Sequence, residues 1–283
     1  MERQALLVLD MQEQLHKLAA TIVIQLNRTI AHCRQLKIPI FFTRHGHRKL
    51  DLDGGVLAEF WGKERAIQYE GAGWDLIPEL EVELSDVVLD KCRYDAFHGT
   101  NLLDMLRSLK VDTVIVAGLL SNLSCESTAR TAFSNDFKCR YDAFHGTNLL
   151  DMLRSLKVDT VIVAGLLSNL SCESTARTAF SNDFKCRYDA FHGTNLLDML
   201  RSLKVDTVIV AGLLSNLSCE STARTAFSND FKVVFLSDGS AALAADHHLA
   251  TLTNMEFGFG RVCTAAEFCK SAPLPSQDSP SLS

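Results

Sequence analysis

The alternation of short apolar runs with amphipathic helical stretches predicts an α/β protein: a doubly wound, Rossmann-like parallel sheet with helices on both faces. Three observations carry this. Runs such as "ALLVLDM" (5–11) and "DTVIVAGLL" (112–120) are almost continuously apolar, as strands buried on both faces are. Stretches of helical period separate them. A 47-residue block then repeats this αβα pattern, which predicts a sheet lengthened or decorated by two extra αβα units.

Taken in order, "ALLVLDM" is the first strand. A helix follows with Val23, Leu26, Ile30 and Cys33 on one stripe. "IPIFFTRH" (38–45) is the second strand, and the Gly- and charge-rich stretch 46–80, with both tryptophans, reads as an excursion or lid. "DVVLDK" (86–91) is the third strand. Thr100 caps a helix that turns Leu102, Leu103, Leu106 and Leu109 inward. The fourth strand at 112–120 leads into the helix "NLSCESTARTAF". "KVVFLSD" (232–238), a helix at 245–256 and a short strand near "GRVCTA" (260–265) close the pattern. The tail 271–283 is Pro/Ser-rich and reads as disordered.

The block at 91–137 recurs unchanged at 138–184 and 185–231. Solenoid repeats diverge and acquire polar end caps, and neither has happened here. A recent tandem duplication or an engineered chain explains this better. Removing two copies leaves 189 residues, a normal single-domain length, in which Phe137 would run straight into "KVVFLSDGSA". The expectation is one domain over 1–270. Copy one is expected to build the site, and the extra strands to enter the sheet between the fourth and fifth. Lys138 and Lys185 follow a helix end, so they are expected to lack the strand that places Lys91.

The net charge of -6 argues against nucleic acid or an anionic membrane as partner. No apolar run is long enough to span a bilayer, and "MERQALLVLDMQ" lacks a signal peptide's n-region, so a cytoplasmic protein is expected. Six of the nine cysteines are repeat copies, so their number reflects duplication rather than a disulfide framework.

In open α/β sheets, sites form beyond the carboxyl ends of the strands. Asp10, Lys91 and the Ser124–Cys125 pair stand there. A buried carboxylate needs a partner, for which Lys91 is a candidate, and a hydroxyl or thiol at a helix start feels the dipole. Together they make a plausible hydrolytic centre. Each also has a plain reading: strand-end cap, surface lysine, first-turn serine with a core cysteine beside it.

Four ordered motifs, "LLVLDMQ" (6–12), "FFTRHGH" (41–47), "VVLDKCRYDAFHGTNL" (87–102) and "VAGLLSNLSCESTARTAF" (116–133), resemble those of the isochorismatase-like (cysteine hydrolase) superfamily. "VVFLSDGSAA" (233–242) and "GFGRVCTAAE" (258–267) fit as well. The resemblance implies a six-stranded parallel sheet and a triad with Asp10 as general base and Lys91 beside it. Counted from Gly118 through Ser121, the nucleophile's place falls on Ser124 and not on Cys125. Relatives often carry two consecutive cysteines here, so the serine departs from the family pattern. A serine hydroxyl needs a stronger base than a thiol does.

The resemblance further implies a cis peptide at Leu120–Ser121, with the amides of Ser121 and Ser124 turned toward an oxyanion. Gln12, Trp61, Tyr94 and Phe97 are pocket-wall candidates that fit a core equally well. Nicotinamidases bind zinc after strand 2, but "TRHGHRKLD" does not reproduce their spacing, so no metal and no cofactor are expected. The implied function is hydrolysis of a small-molecule amide-type C–N bond. The alternatives are vinyl-ether hydrolysis without a nucleophile, or a catalytically silent product of duplication. A homo-oligomer is expected, since the family commonly forms dimers or tetramers.

Overall fold

The computed structural model describes residues 3–141 and 188–271. Copy two beyond Tyr141, including Ser171, the first three residues of copy three, including Lys185, and the tail beyond Ser271 lie outside the described residues.

The strands are β1 (Gln4–Leu9), β2 (Ile40–His45), β3 (Val87–Lys91), β4 (Thr113–Gly118), β5 (Lys138–Tyr141), β6 (Thr207–Leu213), β7 (Lys232–Ala241) and β8 (Arg261–Cys263). The α-helices are α1 (His16–Gln35), α2 (Gly55–Trp61), α3 (Leu102–Ser108), α4 (Glu126–Ser134), α5 (Leu196–Ser202), α6 (Glu220–Ser228), α7 (Ala245–Gly258) and α8 (Ala265–Ser271). No helix among the described residues is long and apolar enough to cross a membrane.

β1 shows why the first sheet forms. Ala5, Leu7 and Leu9 enter one core cluster with Leu102 and Leu106 of α3 and Ala129 and Ala132 of α4. Leu6 and Val8 enter another, with Val23, Leu26, Ile30 and Cys33 of α1. Successive side chains alternate across the sheet, and both faces are apolar, so both must be covered. Of the expected α3 leucines, Leu109 lies past the helix end and is exposed, because α3 is only seven residues long.

The described strands do not form one lengthened sheet. Among the described residues there are two parallel sheets, β3-β2-β1-β4-β5 and β6-β7-β8. The repeat explains the division. β5, the start of copy two, pairs with β4 with Thr113 opposite Lys138. β7 pairs with β6 in the same register, Thr207 opposite Lys232. Lys138–Tyr141 therefore fills the slot beside β4 that the sequence assigns to Lys232 onward. Lys138 follows the end of α4 and opens β5, so no strand carries it to the site as β3 carries Lys91, its last residue. Copy three starts a second sheet with the C-terminal strands. One core cluster bridges the two, joining Leu57, Tyr94 and Leu123 to Phe227, Phe235 and Phe259. α8 was not expected; it occupies the stretch just before the tail.

Candidate active site

Asp10 follows β1 directly and takes a left-handed backbone, φ 51°. Aspartate tolerates this conformation better than most residues. The turn places the carboxylate beyond the strand ends, where Thr43 of β2 holds it. The Thr43 hydroxyl donates to Asp10 Oδ1 at 2.6 Å. The Asp10 amide lies 3.2 Å from both the Thr43 carbonyl and its Oγ1. The register makes this possible, because Leu9 pairs with Thr43.

Lys91 ends β3 opposite His45. Its ammonium donates to Asp10 Oδ2 at 2.7 Å and to the carbonyls of Arg93 and Tyr94, each at 3.0 Å. It also stands 3.3 Å from Ser124 Oγ. The Ser124 hydroxyl donates to the same Asp10 Oδ2 at 2.6 Å. Asp10, Lys91, Ser124 and Thr43 are all buried. A buried ion pair is tolerable when hydrogen bonds satisfy the remaining groups, and here the Lys91 ammonium and both Asp10 oxygens have partners.

Ser124 reaches this place through a π-helical turn, Ser121–Cys125, that precedes α4. The Leu119 amide still donates to Leu9 O at 2.8 Å, so strand pairing continues through that amide. The cis peptide is Leu119–Leu120, one residue before the expected Leu120–Ser121. The chain leaves the sheet there, and the Leu120 carbonyl, accepting from the Leu123 and Cys125 amides, already opens the turn. Copy three repeats the arrangement at Leu213–Leu214. Gly118 makes the close approach possible: at φ 113°, an added Cβ would lie 2.1 Å from Leu9 O.

Cys125 points into the core cluster beneath the sheet. Burial, and then the charge of Asp10, push its thiol far up, so it stays protonated. In copy three, Ser218 is buried in the second body, built on the β6-β7-β8 sheet, whereas Asp10 follows β1 of the first sheet.

The wall candidates separate. Gln12 is wholly buried and its amide is fully used: Nε2 donates to His45 O at 2.9 Å and to Trp74 O at 2.7 Å, and Oε1 accepts from His45 N at 2.8 Å. It braces the strand ends against the 46–80 excursion. Phe97 stacks on Phe137 and packs into the core with the α3 leucines. Trp61 and Tyr94 do stand together, the indole N–H donating to the Tyr94 hydroxyl. Tyr94 stacks on Phe227 and meets Phe259 edge-on. Burial raises its phenol well above the usual range, so the hydroxyl keeps its proton.

Sequence reasoning missed Thr43; its one signal is a threonine directly after the apolar run Ile40–Phe42 of β2. His45 lies beside the site, stacked on Tyr94. Burial and the Lys91 ammonium push its imidazole well below the usual value, so the ring is neutral. His45 and His47 meet edge-on with centroids 5.2 Å apart, and His47 Nδ1 is 3.5 Å from Asp53. Among the described residues, no group of three or more His, Cys, Asp or Glu side chains is placed to hold a metal.

The sequence model of the Isochorismatase domain matches residues 4–140, 137–187 and 184–267. The chain belongs to the isochorismatase family. Only the first of the three family matches contains Asp10, Lys91 and Ser124. Nicotinamidase 3 of Arabidopsis thaliana is 38% identical over 136 residues, 47% of this chain and 68% of that protein. The isochorismatase of Bacillus subtilis is 35% identical over 144 residues, 48% of this chain and 45% of that protein. Against this second family relative, the match spans less than half its length. Among solved structures, the N-carbamoylsarcosine amidase from Thermoplasma acidophilum aligns with a TM-score of 0.47 at 24% identity, over 55% of this chain and 92% of that one.

Proposed function

We propose that this isochorismatase-family hydrolase acts on an amide-type C–N bond of a small molecule, with Ser124 in the nucleophile's place. The observation that carries the reading is the shared oxygen: Asp10 Oδ2 receives both the Ser124 hydroxyl and the Lys91 ammonium. A nucleophile hydrogen-bonded to a base, which is oriented in turn by further groups, is the arrangement that acyl transfer requires. The relative named as a nicotinamidase supports an amide substrate.

In this reading Ser124 Oγ attacks the carbonyl carbon as its proton passes to Asp10. Backbone amides of the Ser121–Cys125 turn hold the oxyanion that forms. The C–N bond then breaks, Asp10 returns the proton to the leaving nitrogen, and water cleaves the acyl ester to restore Ser124. Lys91 keeps the carboxylate in place and balances its charge within the buried site. An alcohol gives up its proton less readily than a thiol, so serine makes this a slow amidase compared with a cysteine at the same place.

The serine also supports a second reading, in which no covalent bond forms. Asp10 and Ser124 then deliver a proton to a vinyl ether and water attacks the resulting cation. The relative named isochorismatase supports it. Turnover of a panel of small primary amides and vinyl ethers separates the two. Ammonia release supports the first reading, and carbonyl product from vinyl ethers alone supports the second. No turnover of either class by folded protein contradicts both and leaves the silent duplication product.

A further inference from the structure

Asp10, Lys91 and Ser124 are each only 4% exposed, so a substrate meets them only when part of the surrounding structure moves. α2 is a seven-residue helix that begins at Gly55, φ 54°, and stops at Gly62, φ 85°. Leu57 enters the core cluster that holds Leu123 of the Ser121–Cys125 turn, and Val56, Phe60 and Trp61 pack against the same cluster. Phe60 meets Phe227 edge-on at 5.9 Å, and Trp61 meets Phe257 at 5.5 Å. α2 therefore packs at once on the turn that carries Ser124 and on the second body.

One carboxylate fastens it there. Asp230 lies between α6 and β7 with a left-handed backbone, φ 68°. Its Oδ1 accepts from the Val56 amide of α2 at 3.2 Å and from Arg93 Nη2 at 2.6 Å. The helix start comes so close that a Cβ at Gly55 would lie 1.9 Å from that oxygen. Arg93 Nη1 also donates to Asp53 O, in the turn that leads into α2, at 2.6 Å.

The same residues reach Lys91. Its ammonium donates to the carbonyls of Arg93 and Tyr94. The Arg93 side chain is held by Asp230, and Tyr94 takes the Trp61 indole N–H and stacks on Phe227. Both carbonyls that seat the ammonium thus belong to residues whose side chains α2 or copy three grips.

We propose that α2 is a lid over the Asp10–Lys91–Ser124 site, that Asp230 of copy three is its latch, and that Arg93 and Tyr94 couple closure to the seating of Lys91. This rests on that site being the reactive one. With the lid closed, the ammonium is held against Asp10 Oδ2; with it open, substrate enters. Arg93 and Tyr94 are positioning residues, and copy three governs entry to a site that copy one builds.

Chemical access to residue 124 tests this without turnover. Ser124→Cys is alkylated with iodoacetamide across a range of pH, and the copy-one peptide is followed by mass spectrometry, since it alone then carries two adjacent cysteines. The plateau rate at high pH reports access, and the midpoint reports the Lys91 ammonium, which favours a thiolate beside it. Adding Asp230→Asn should raise the plateau on the order of tenfold, by weakening a charged hydrogen bond that holds a local opening closed. The midpoint should move up, and deuterium uptake over residues 50–62 should rise while β1 and β2 keep their protection. Glu59→Gln breaks only the exposed 3.6 Å pair with Lys232 and should change none of these. An unchanged plateau and unchanged uptake in folded Asp230→Asn overturn the latch. A raised plateau with an unmoved midpoint overturns the coupling to Lys91. Failure of the amidase reading shows in turnover and leaves both readouts as they are.

Discussion

Thr43 holds Asp10 by side chain and backbone together: its hydroxyl donates to Oδ1 at 2.6 Å, and its carbonyl receives the Asp10 amide at 3.2 Å. The carboxylate therefore turns its other oxygen, Oδ2, to Lys91 and Ser124. Thr43→Val keeps the shape of the side chain and leaves Oδ1 buried without that donor. Stability should fall by about 1–3 kcal/mol, the cost of an unsatisfied buried acceptor. Turnover should fall more than substrate affinity. Urea titration and a comparison of kcat with KM check the two parts.

Removing the cation from the buried pair has a larger effect. Lys91→Met leaves the Asp10 carboxylate with no opposite charge and should cost about 3–5 kcal/mol. Adding Asp10→Asn should recover much of this loss, since the uncompensated charge is then gone. Denaturation midpoints of the two single variants and the double variant give the coupling directly. Additive losses would show that the pair is not a unit.

Gly118 and Gly99 both have positive φ, 113° and 66°, but their surroundings differ. A Cβ at Gly118 would meet the Leu9 backbone, whereas one at Gly99 would meet nothing within 4 Å. Gly118→Ala should cost on the order of 3 kcal/mol and push β4 away from Asp10. Gly99→Ala should cost about 1 kcal/mol, the backbone conformation alone. Thermal unfolding of the two variants side by side checks the difference.

Asp95 lies buried between the bodies, and burial raises its carboxyl to about 6. Phe97 N and Thr131 Oγ1 donate to it, which opposes the shift without cancelling it. A carboxyl raised in the folded state binds its proton more tightly there than in the unfolded chain. Its contribution is therefore most favourable below about pH 4 and is lost as pH rises to about 6, a change of about 3 kcal/mol. Asp95→Asn removes this titration. The stability difference between wild type and variant should vary with pH across that window and level off above it.

Much of this was legible in sequence where a residue's environment follows from its neighbours along the chain. The alternating burial of Ala5 to Leu9 and the α1 stripe are set by local periodicity, and Asp10 and Lys91 are placed by the strand ends they terminate. Thr43 was not legible, because its role depends on the register between β1 and β2. The cis bond fell one residue early because strand pairing extends only as far as the Leu119 amide. Gln12 and Phe97 are polar and aromatic residues near the site whose partners turn them to bracing and core packing. The division into two sheets depends on which of three identical segments fills one slot, and identical sequence carries no information to choose.

We assign residue 124 to the nucleophile's place in an amidase site. Ammonia release from small primary amides by Ser124→Cys, beside the wild type, tests it most directly. A folded variant should release ammonia at least about tenfold faster, equivalent to about 1.4 kcal/mol off the barrier. If the folded variant releases ammonia no faster than the wild type, position 124 is not that nucleophile and the amidase account fails.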